Sequence, residues 1–561
     1  MNNLPINSGL WDTWTDMEDA HNKKVLIIGI DGGTWDVLTP ALDRGFMPNL
    51  KSIVDSYASG ILESTMPAIT PAAWGCFQTG VNCGANGVFD FSYWDKAENK
   101  SRFVSSSTLR TTLWEMASDA GKRVATVNVP MTYPPRKING CMVTGILTPS
   151  LESEFTTPPE LKDKLLRAVP GYHIFNLQTA GEGSPHENFD SFIGQMVDIV
   201  DNRTKAAKFL IDSDDFDLFM VHFQTTDIVQ HAMWGYMDEN CPLYDEKKRE
   251  HIFESFYKHL DTRIKEIRDA FSAKAGDDFM TLFVSDHGQE LHKKRINLGN
   301  WLSEQGLLKI NPVRRKKRPL LKKITSTLKI GKILRLFISD RSVKKIERSV
   351  GLNFQQVDLQ KSRALSIGRS GEGFIYFLGD DQRQNDSLKN DLISGLKNIC
   401  DPETGEKVVE NVFSKEDIYS GPFMDRMPDL VIEPVSGYSF TGWYQKGEGI
   451  FHKVEPIVDF HIGKHHKNGI IIACGRDIKP SDSVKARLVD IVPTLLYYMQ
   501  LPVKDDLDGR IVFDLFTDGF RQTNQAPELK KYKERNAERH DDYSKQEESE
   551  IQQRLKDLGY F

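Results

Sequence analysis

K-V-L-I-I-G-I-D-G-G, Lys24 to Gly33, is an apolar run that stops on an aspartate and two glycines. A strand this uniformly apolar is buried on both faces, as in parallel sheets covered by helices on each side, and ligands gather at the carboxyl ends of such strands. Asp31 is thereby delivered to a candidate active-site edge. Taken alone, it reads more readily as a helix cap or turn aspartate.

Working outward, further apolar runs occur at Arg123–Val129, Phe216–His222 and Met280–Ser285. Each is separated from the last by enough chain for a crossover helix, which predicts an α/β fold with a mostly parallel central sheet and helices on both faces. Phe192, Met196, Ile199, Val200, Ala206, Phe209 and Leu210 recur at helical spacing and predict a helix over about 189–211, feeding the strand D-L-F-M-V-H-F. Later in the chain, P-D-L-V-I-E-P ending at Pro434 reads as a return to the core sheet, G-I-I-I-A-C over 469–474 as a buried strand, and 489–499 as a helix.

Length and composition set the frame. At 561 residues, 39% hydrophobic and 27% charged, the chain is long enough for two to four domains or one large α/β domain with insertions. A formal net charge of −7 names no partner. Six cysteines without C-x-x-C spacing suggest neither a disulfide framework nor a zinc knuckle. The N-terminus lacks a basic and apolar signal pattern, and the expected location is cytoplasmic. The expected division is an N-terminal arm over 1–22, a core over 23–305 and 436–525, a basic helical insert over 306–365, a small α+β insert over 366–435 and a charged C-terminal helix over 526–561. Within the basic insert, Lys309–Arg348 holds fifteen Lys or Arg against Asp340 and Glu347, with Leu320, Ile324, Leu328, Leu334 and Phe337 near four-residue spacing. That basic amphipathic pattern suits an anionic membrane surface, or docks on its own domain. Nucleic acid is not an expected partner, because aromatic interleaving is missing.

Chemistry-bearing residues collect at other element ends. T-L-F-V-S-D-H-G releases Asp286 and His287 where a strand stops, and an adjacent buried Asp and His are satisfied by a cation. F-Q-T-T-D-I-V-Q-H places Asp227 and His231 four apart, on one face if helical. F-H-I-G-K-H-H-K-N-G concentrates His461, His465 and His466 before a buried strand. In P-A-I-T-P-A-A-W-G-C-F-Q-T-G, Thr70 opens a helix with Pro71 in its first turn, where a hydroxyl and an incoming phosphate are both favoured, although threonine is also an ordinary cap there.

The ordered set I-G-I-D-G-G, P-A-I-T-P-A-A-W-G-C-F-Q-T-G, T-T-D-I-V-Q-H, V-S-D-H-G and I-G-K-H-H-K-N-G resembles the alkaline phosphatase superfamily. The likeness is greatest to its branch of type I phosphodiesterases, nucleotide pyrophosphatases and phosphohydrolase/phosphomutases. It spans Lys24 to about Leu515 and takes in N-V-P-M-T-Y-P-P, M-P-D-L-V-I-E-P and D-I-V-P-T-L-L-Y-Y-M. The resemblance implies an alkaline phosphatase-like fold and two divalent metal ions, usually zinc, with manganese or magnesium as alternatives. Asp31, Asp286 and His287 would hold one, beside Thr70 as nucleophile and ligand. Asp227, His231 and His465 would hold the other, His465 fitting the family's G-x-H spacing and His461 and His466 being runners-up. Two cations about 4 Å apart activate the hydroxyl and clamp the phosphoryl group in an in-line displacement. The implied activity is hydrolysis of a small phosphorylated substrate, a phosphodiester or phosphoanhydride, through a phosphothreonine. Alternatives are a phosphomonoesterase or phosphomutase on the same site, or a scaffold or effector that works through the basic insert.

Departures sharpen the expectation. Nucleotide pyrophosphatases follow the nucleophile helix with H-G-I-x-x-N, whereas this chain has Asn86 in place of the histidine and Phe91 in place of the asparagine, which removes one oxyanion donor. No C-x-P-x-R sulfatase signature occurs, and the phosphoglycerate mutase branch uses serine where Thr70 stands. Trp35, Trp74, Trp234 and Trp443 are candidates for a cleft lining but, as large aromatics, fit a core better.

Overall fold

The structure is a computed structural model that describes residues 23–95, 100–174, 185–311, 357–368, 371–378, 382–442, 444–455, 462–524, 527–532 and 543–557. The arm over 1–22 and most of the basic insert, residues 312–356, lie outside the described residues.

Nine strands build the main sheet: β1 (Lys24–Ile30), β2 (Ala58–Glu63), β3 (Val124–Val129), β4 (Gly140–Thr144), β5 (Thr156–Thr157), β6 (Leu218–Phe223), β7 (Phe279–Val284), β8 (Asn468–Cys474) and β9 (Ser481–Arg487). Their spatial order is β9-β2-β8-β7-β1-β6-β3-β4-β5. The four runs expected from the sequence become four neighbouring strands, β7, β1, β6 and β3, all mutually parallel. Asp31, Asp286 and the helix after β6 therefore leave the sheet at one carboxyl edge. β8 runs antiparallel between β7 and β2, and β5 antiparallel beside β4, so the sheet is mostly parallel.

Alternation along β1 shows why both faces are covered. Val25 and Ile27 join a core with Leu218, Met220, Trp74, Trp114 and Leu495, which belong to the sheet and to helices on one side. The intervening Leu26 and Ile28 are equally buried and face the other way. On that opposite side Phe219 meets Phe271 of the Lys258–Ala275 helix. Five helices matter below: α1 (Trp35–Asp43), α2 (Thr70–Thr79), α3 (Phe189–Ser213), α4 (Thr225–Met237) and α5 (Lys545–Asp557). Among the described residues no helix is long and apolar enough to cross a membrane.

The chain divides into two compact units. One comprises Met1–Lys293, Lys415–Met427 and Val454–Phe561, the other Lys294–Ser414 and Pro428–Lys453. The second unit thus starts earlier and ends later than the inserts expected over 306–435, and Lys415–Met427 returns from it to the first. P-D-L-V-I-E-P is not a strand of the main sheet. Leu430–Pro434 pairs antiparallel with Gly373–Phe377 and Val409–Ser414 in a separate four-stranded sheet, around a core with Leu388, Leu392 and Leu396. An apolar run reports that a strand is buried, not in which core. After Val409–Ser414 the chain turns into the short helix Lys415–Ile418. The charged C-terminal helix α5 is not simply solvated, since Ile551 and Leu555 are each 1% exposed and Arg554 donates to the carbonyls of Thr148 and Pro149.

Candidate metal centre

Asp31, Asp286 and His287 converge at the carboxyl ends of β1 and β7, their ligand atoms all within 4.8 Å of one another and all fully buried. The bend that brings them together is glycine-dependent. Gly32 sits at φ +65°, its N–H donates to Asp286 Oδ1 at 3.1 Å, and a Cβ there would lie 3.1 Å from Asp227 Oδ1. Asp31 is not the cap of the following helix α1, a task taken by the Thr34 hydroxyl.

Asp227 and His231 stand one turn apart on α4, and His465 reaches them from the strand Gly463–His466, which pairs antiparallel with Gly288–Leu291. His231 Nε2 lies 2.9 Å from His465 Nε2 and 3.2 Å from Asp227 Oδ1, and His465 Nε2 lies 3.4 Å from the same oxygen. The imidazoles of His287 and His465 stack at 3.7 Å, so the two clusters are adjacent.

Thr70 is the first residue of α2, whose cap position is Ile69 without a side-chain bond. The hydroxyl therefore does not cap: Thr70 Oγ1 is buried and has no hydrogen-bond partner. Its neighbours locate it between the clusters. Trp74, one turn on, donates to Asp31 Oδ2 at 3.3 Å, while Ala68, two residues before, accepts from His465 Nδ1 at 2.9 Å.

The donor set fits divalent cations. His231, His287 and His465 each donate Nδ1–H to a backbone carbonyl, of Gly463 (2.7 Å), Gly288 (3.1 Å) and Ala68 (2.9 Å) respectively, which turns every Nε2 lone pair inward. Asp31 Oδ1, Asp286 Oδ2 and His287 Nε2 are buried without a hydrogen-bond partner. Burial and then the mutual repulsion of Asp31, Asp286 and Asp227 push the Asp31 and Asp286 carboxyls well above the carboxylate range. For Asp227 burial acts the same way but is outweighed by His231 and His465, which hold it well below. Burial lowers His287 strongly and His465 as well, whereas for His231 burial is outweighed by Asp227, which raises it. Three carboxyl groups and three imidazole Nε2 atoms gathered in one buried site suit bound positive charge.

All seven residues singled out in the sequence come together here. His461 lies outside the described residues, and His466 turns away, accepting from Asn468 N. Asn86 is occupied in its own loop, accepting from Val88 N, and Phe91 is buried at 2% exposure, so neither replaces the donor lost with H-G-I-x-x-N. Trp74 and Trp234 are buried, and Trp443 is outside the described residues. Sequence reasoning missed the supports. Gln289 donates to Asp227 Oδ1, Thr226 Oγ1 to the Asp31 carbonyl at 2.5 Å, and His222 Nε2 lies 2.9 Å from Asp31 Oδ2. His222 carried a signal, an imidazole inside an otherwise apolar strand, which demands a polar partner.

Comparison with known proteins bears on the same site. The family model described as type I phosphodiesterase / nucleotide pyrophosphatase matches residues 25–465, which contain all seven. Among solved structures, phosphonoacetate hydrolase from Sinorhizobium meliloti 1021 in complex with phosphonoformate superposes with a TM-score of 0.51 at 15% identity, covering 86% of this chain and 96% of that one. Human ectonucleotide pyrophosphatase / phosphodiesterase 5 gives 0.51 at 14% identity, covering 88% and 100%. At such identities these likenesses speak for the fold. No curated protein matches the chain in sequence.

Proposed function

The chain belongs to the type I phosphodiesterase / nucleotide pyrophosphatase family of metal-dependent phosphoric ester hydrolases, and from that premise we propose that it cleaves a phosphodiester or phosphoanhydride with two divalent cations and Thr70 as covalent nucleophile. The observation that carries the reading is the convergence of Asp31, Asp286 and His287, whose Oδ1, Oδ2 and Nε2 are buried without hydrogen-bond partners, beside a helix whose first residue, Thr70, has an equally unpartnered hydroxyl. Asp31, Asp286 and His287 would hold one cation and Asp227, His231 and His465 the other. When bound, the cations supply charge that lowers the hydroxyl pKa and neutralises the phosphoryl oxygens. Thr70 Oγ1 then bonds to phosphorus as the leaving oxygen departs in line, and the N-terminus of α2 faces the added negative charge. Water next attacks the phosphothreonine, releasing phosphate or its monoester and restoring the hydroxyl. Zinc is the metal we propose, on the strength of the three imidazoles in the donor set.

A side-by-side assay tests the substrate class. Bis-nitrophenyl phosphate, nitrophenyl phosphate and phosphonoacetate, the last because of the Sinorhizobium neighbour, are offered to zinc-loaded protein. The diester is expected to be turned over at least about tenfold faster in kcat/KM than either other probe, a difference of about 1.4 kcal/mol. Faster monoester cleavage would replace the reading by a phosphomonoesterase on the same residues. For Lys309–Arg348 we propose contact with an anionic membrane surface. Co-sedimentation with phosphatidylserine vesicles is expected at low salt and to be lost as ionic strength rises. Binding that ignores salt would refute it.

A further inference from the structure

We propose that His222 is a positioning residue that turns Asp31 toward the first cation site, and that a bulge at Asn128 sets the angle of His222. The inference rests on the two-cation reading above. Its starting point is the unequal treatment of the two carboxylate oxygens of Asp31. Oδ2 has two partners, His222 Nε2 at 2.9 Å and Trp74 Nε1 at 3.3 Å, whereas Oδ1 has none and faces His287 Nε2 at 3.8 Å. Holding one oxygen fixes the plane of the carboxylate and leaves the other free to ligate.

His222 is itself held from behind. Its Nδ1–H donates to the carbonyl of Asn128 at 3.1 Å while Nε2 stands against Asp31 Oδ2, so the ring cannot rotate without losing one of the two contacts. That carbonyl points at the ring because β3 is irregular there. Its pairing with β4 slips between Val127 and Val129, and Asn128 adopts φ +63°, a left-handed conformation that is uncommon outside glycine. The Asn128 side chain pins the bulge: its amide donates to Ile174 O at 2.7 Å, and its oxygen accepts from Tyr172 OH at 2.8 Å and from Arg203 Nη1. Arg203, on α3 and 3% exposed, also donates to Ile174 O at 2.8 Å. Asn128 opens N-V-P-M-T-Y-P-P, a motif that none of the chemistry above uses.

The opening strand is cut to fit this ring. A Cβ on Gly29 would lie 3.0 Å from His222 Cδ2 and 3.1 Å from the Trp74 ring, so the glycine inside K-V-L-I-I-G-I-D-G-G clears space for both rings that meet Asp31 Oδ2. In the second cluster Asp227 is held by Gln289 and the histidines by the backbone carbonyls of Gly463 and Ala68, contacts made away from His222. The effect of His222 therefore falls on one cation site.

Zinc titrated calorimetrically into chelator-stripped protein reads the two sites as separate binding events. His222→Phe is expected to weaken one event about 10- to 100-fold, the range for lost partners of metal ligands, and to leave the other in place. Activity at limiting zinc falls and recovers with excess zinc. His222→Gln, which keeps a polar side chain against Asp31 Oδ2, restores most of the lost affinity. If His222→Phe does not fold, Trp74→Phe removes the other partner of the same oxygen and is expected to weaken the same event. Two wild-type events with an unchanged profile in these variants, or an equal loss at both, would overturn the inference alone. Wild-type protein that takes up no zinc would overturn the two-cation reading with it.

Discussion

Thr70→Ala should lose roughly three or more decades of kcat while still binding two zinc ions. The effect is large because no neighbouring group can replace the attacking oxygen: in this reading the residues around Thr70 serve as cation ligands, and its hydroxyl makes no structural bond whose loss would disturb them. Removing a covalent nucleophile usually leaves only the rate that positioning and charge provide. Folding should be nearly untouched, because Thr70 neither caps α2 nor donates to a neighbour. Thr70→Ser, which keeps the oxygen, should retain measurable turnover, and quenching during turnover should trap phosphate on residue 70 of the wild type. Undiminished zinc-dependent activity in Thr70→Ala would remove the nucleophile assignment while leaving the cation sites standing.

Stripping the cations should destabilise the fold, and more so as pH rises. Burial and repulsion raise Asp31 and Asp286, so the cation-free folded chain binds those protons more tightly than the unfolded chain does. Their stabilising contribution is complete below the ordinary carboxylate range and is lost as pH climbs through their raised folded values. Asp227 has the opposite sign, its contribution being present above the ordinary range and lost only in acid. Cations reverse the penalty on Asp31 and Asp286 by favouring their charged forms. At a hundredfold excess over its Kd, each ion adds about 2.7 kcal/mol. Two ions then amount to about 5 kcal/mol, or roughly 5–10 °C in Tm. Thermal melts of loaded and stripped protein between pH 5 and 8 measure the gap, and one that narrowed with increasing pH would contradict this account.

How much of this was legible in the sequence varies with the physics of each part. β1 and its three parallel neighbours were readable because burial on both faces leaves an unbroken apolar run, and the ligands because strand ends and an i, i+4 helical pair fix direction locally. The cluster supports were less legible. Nothing near His222 in the chain states that Asn128, 94 positions earlier, will present a carbonyl to it, because that carbonyl is aimed by a bulge and by Arg203 from a third element. Leu430–Pro434 failed for a related reason, since membership of a core is decided by partners far away in sequence. The docking of α5 went unseen because two apolar residues, Ile551 and Leu555, suffice to seat a helix whose other positions are charged.

The late arrival of β8 bears on how the chain is made. During synthesis β7 and β2 leave the ribosome first and lie two places apart, with the strand that joins them still nearly two hundred residues away. Until Asn468–Cys474 follows, two apolar strands present open edges, which favour pairing with the wrong chain. His465 comes just ahead of that strand, so the polypeptide bridges β7 to β2 and completes the Asp227, His231 and His465 cluster within about ten residues of translation. A chain that stopped short of Asn468–Cys474 would leave both strands unjoined and the cluster without His465.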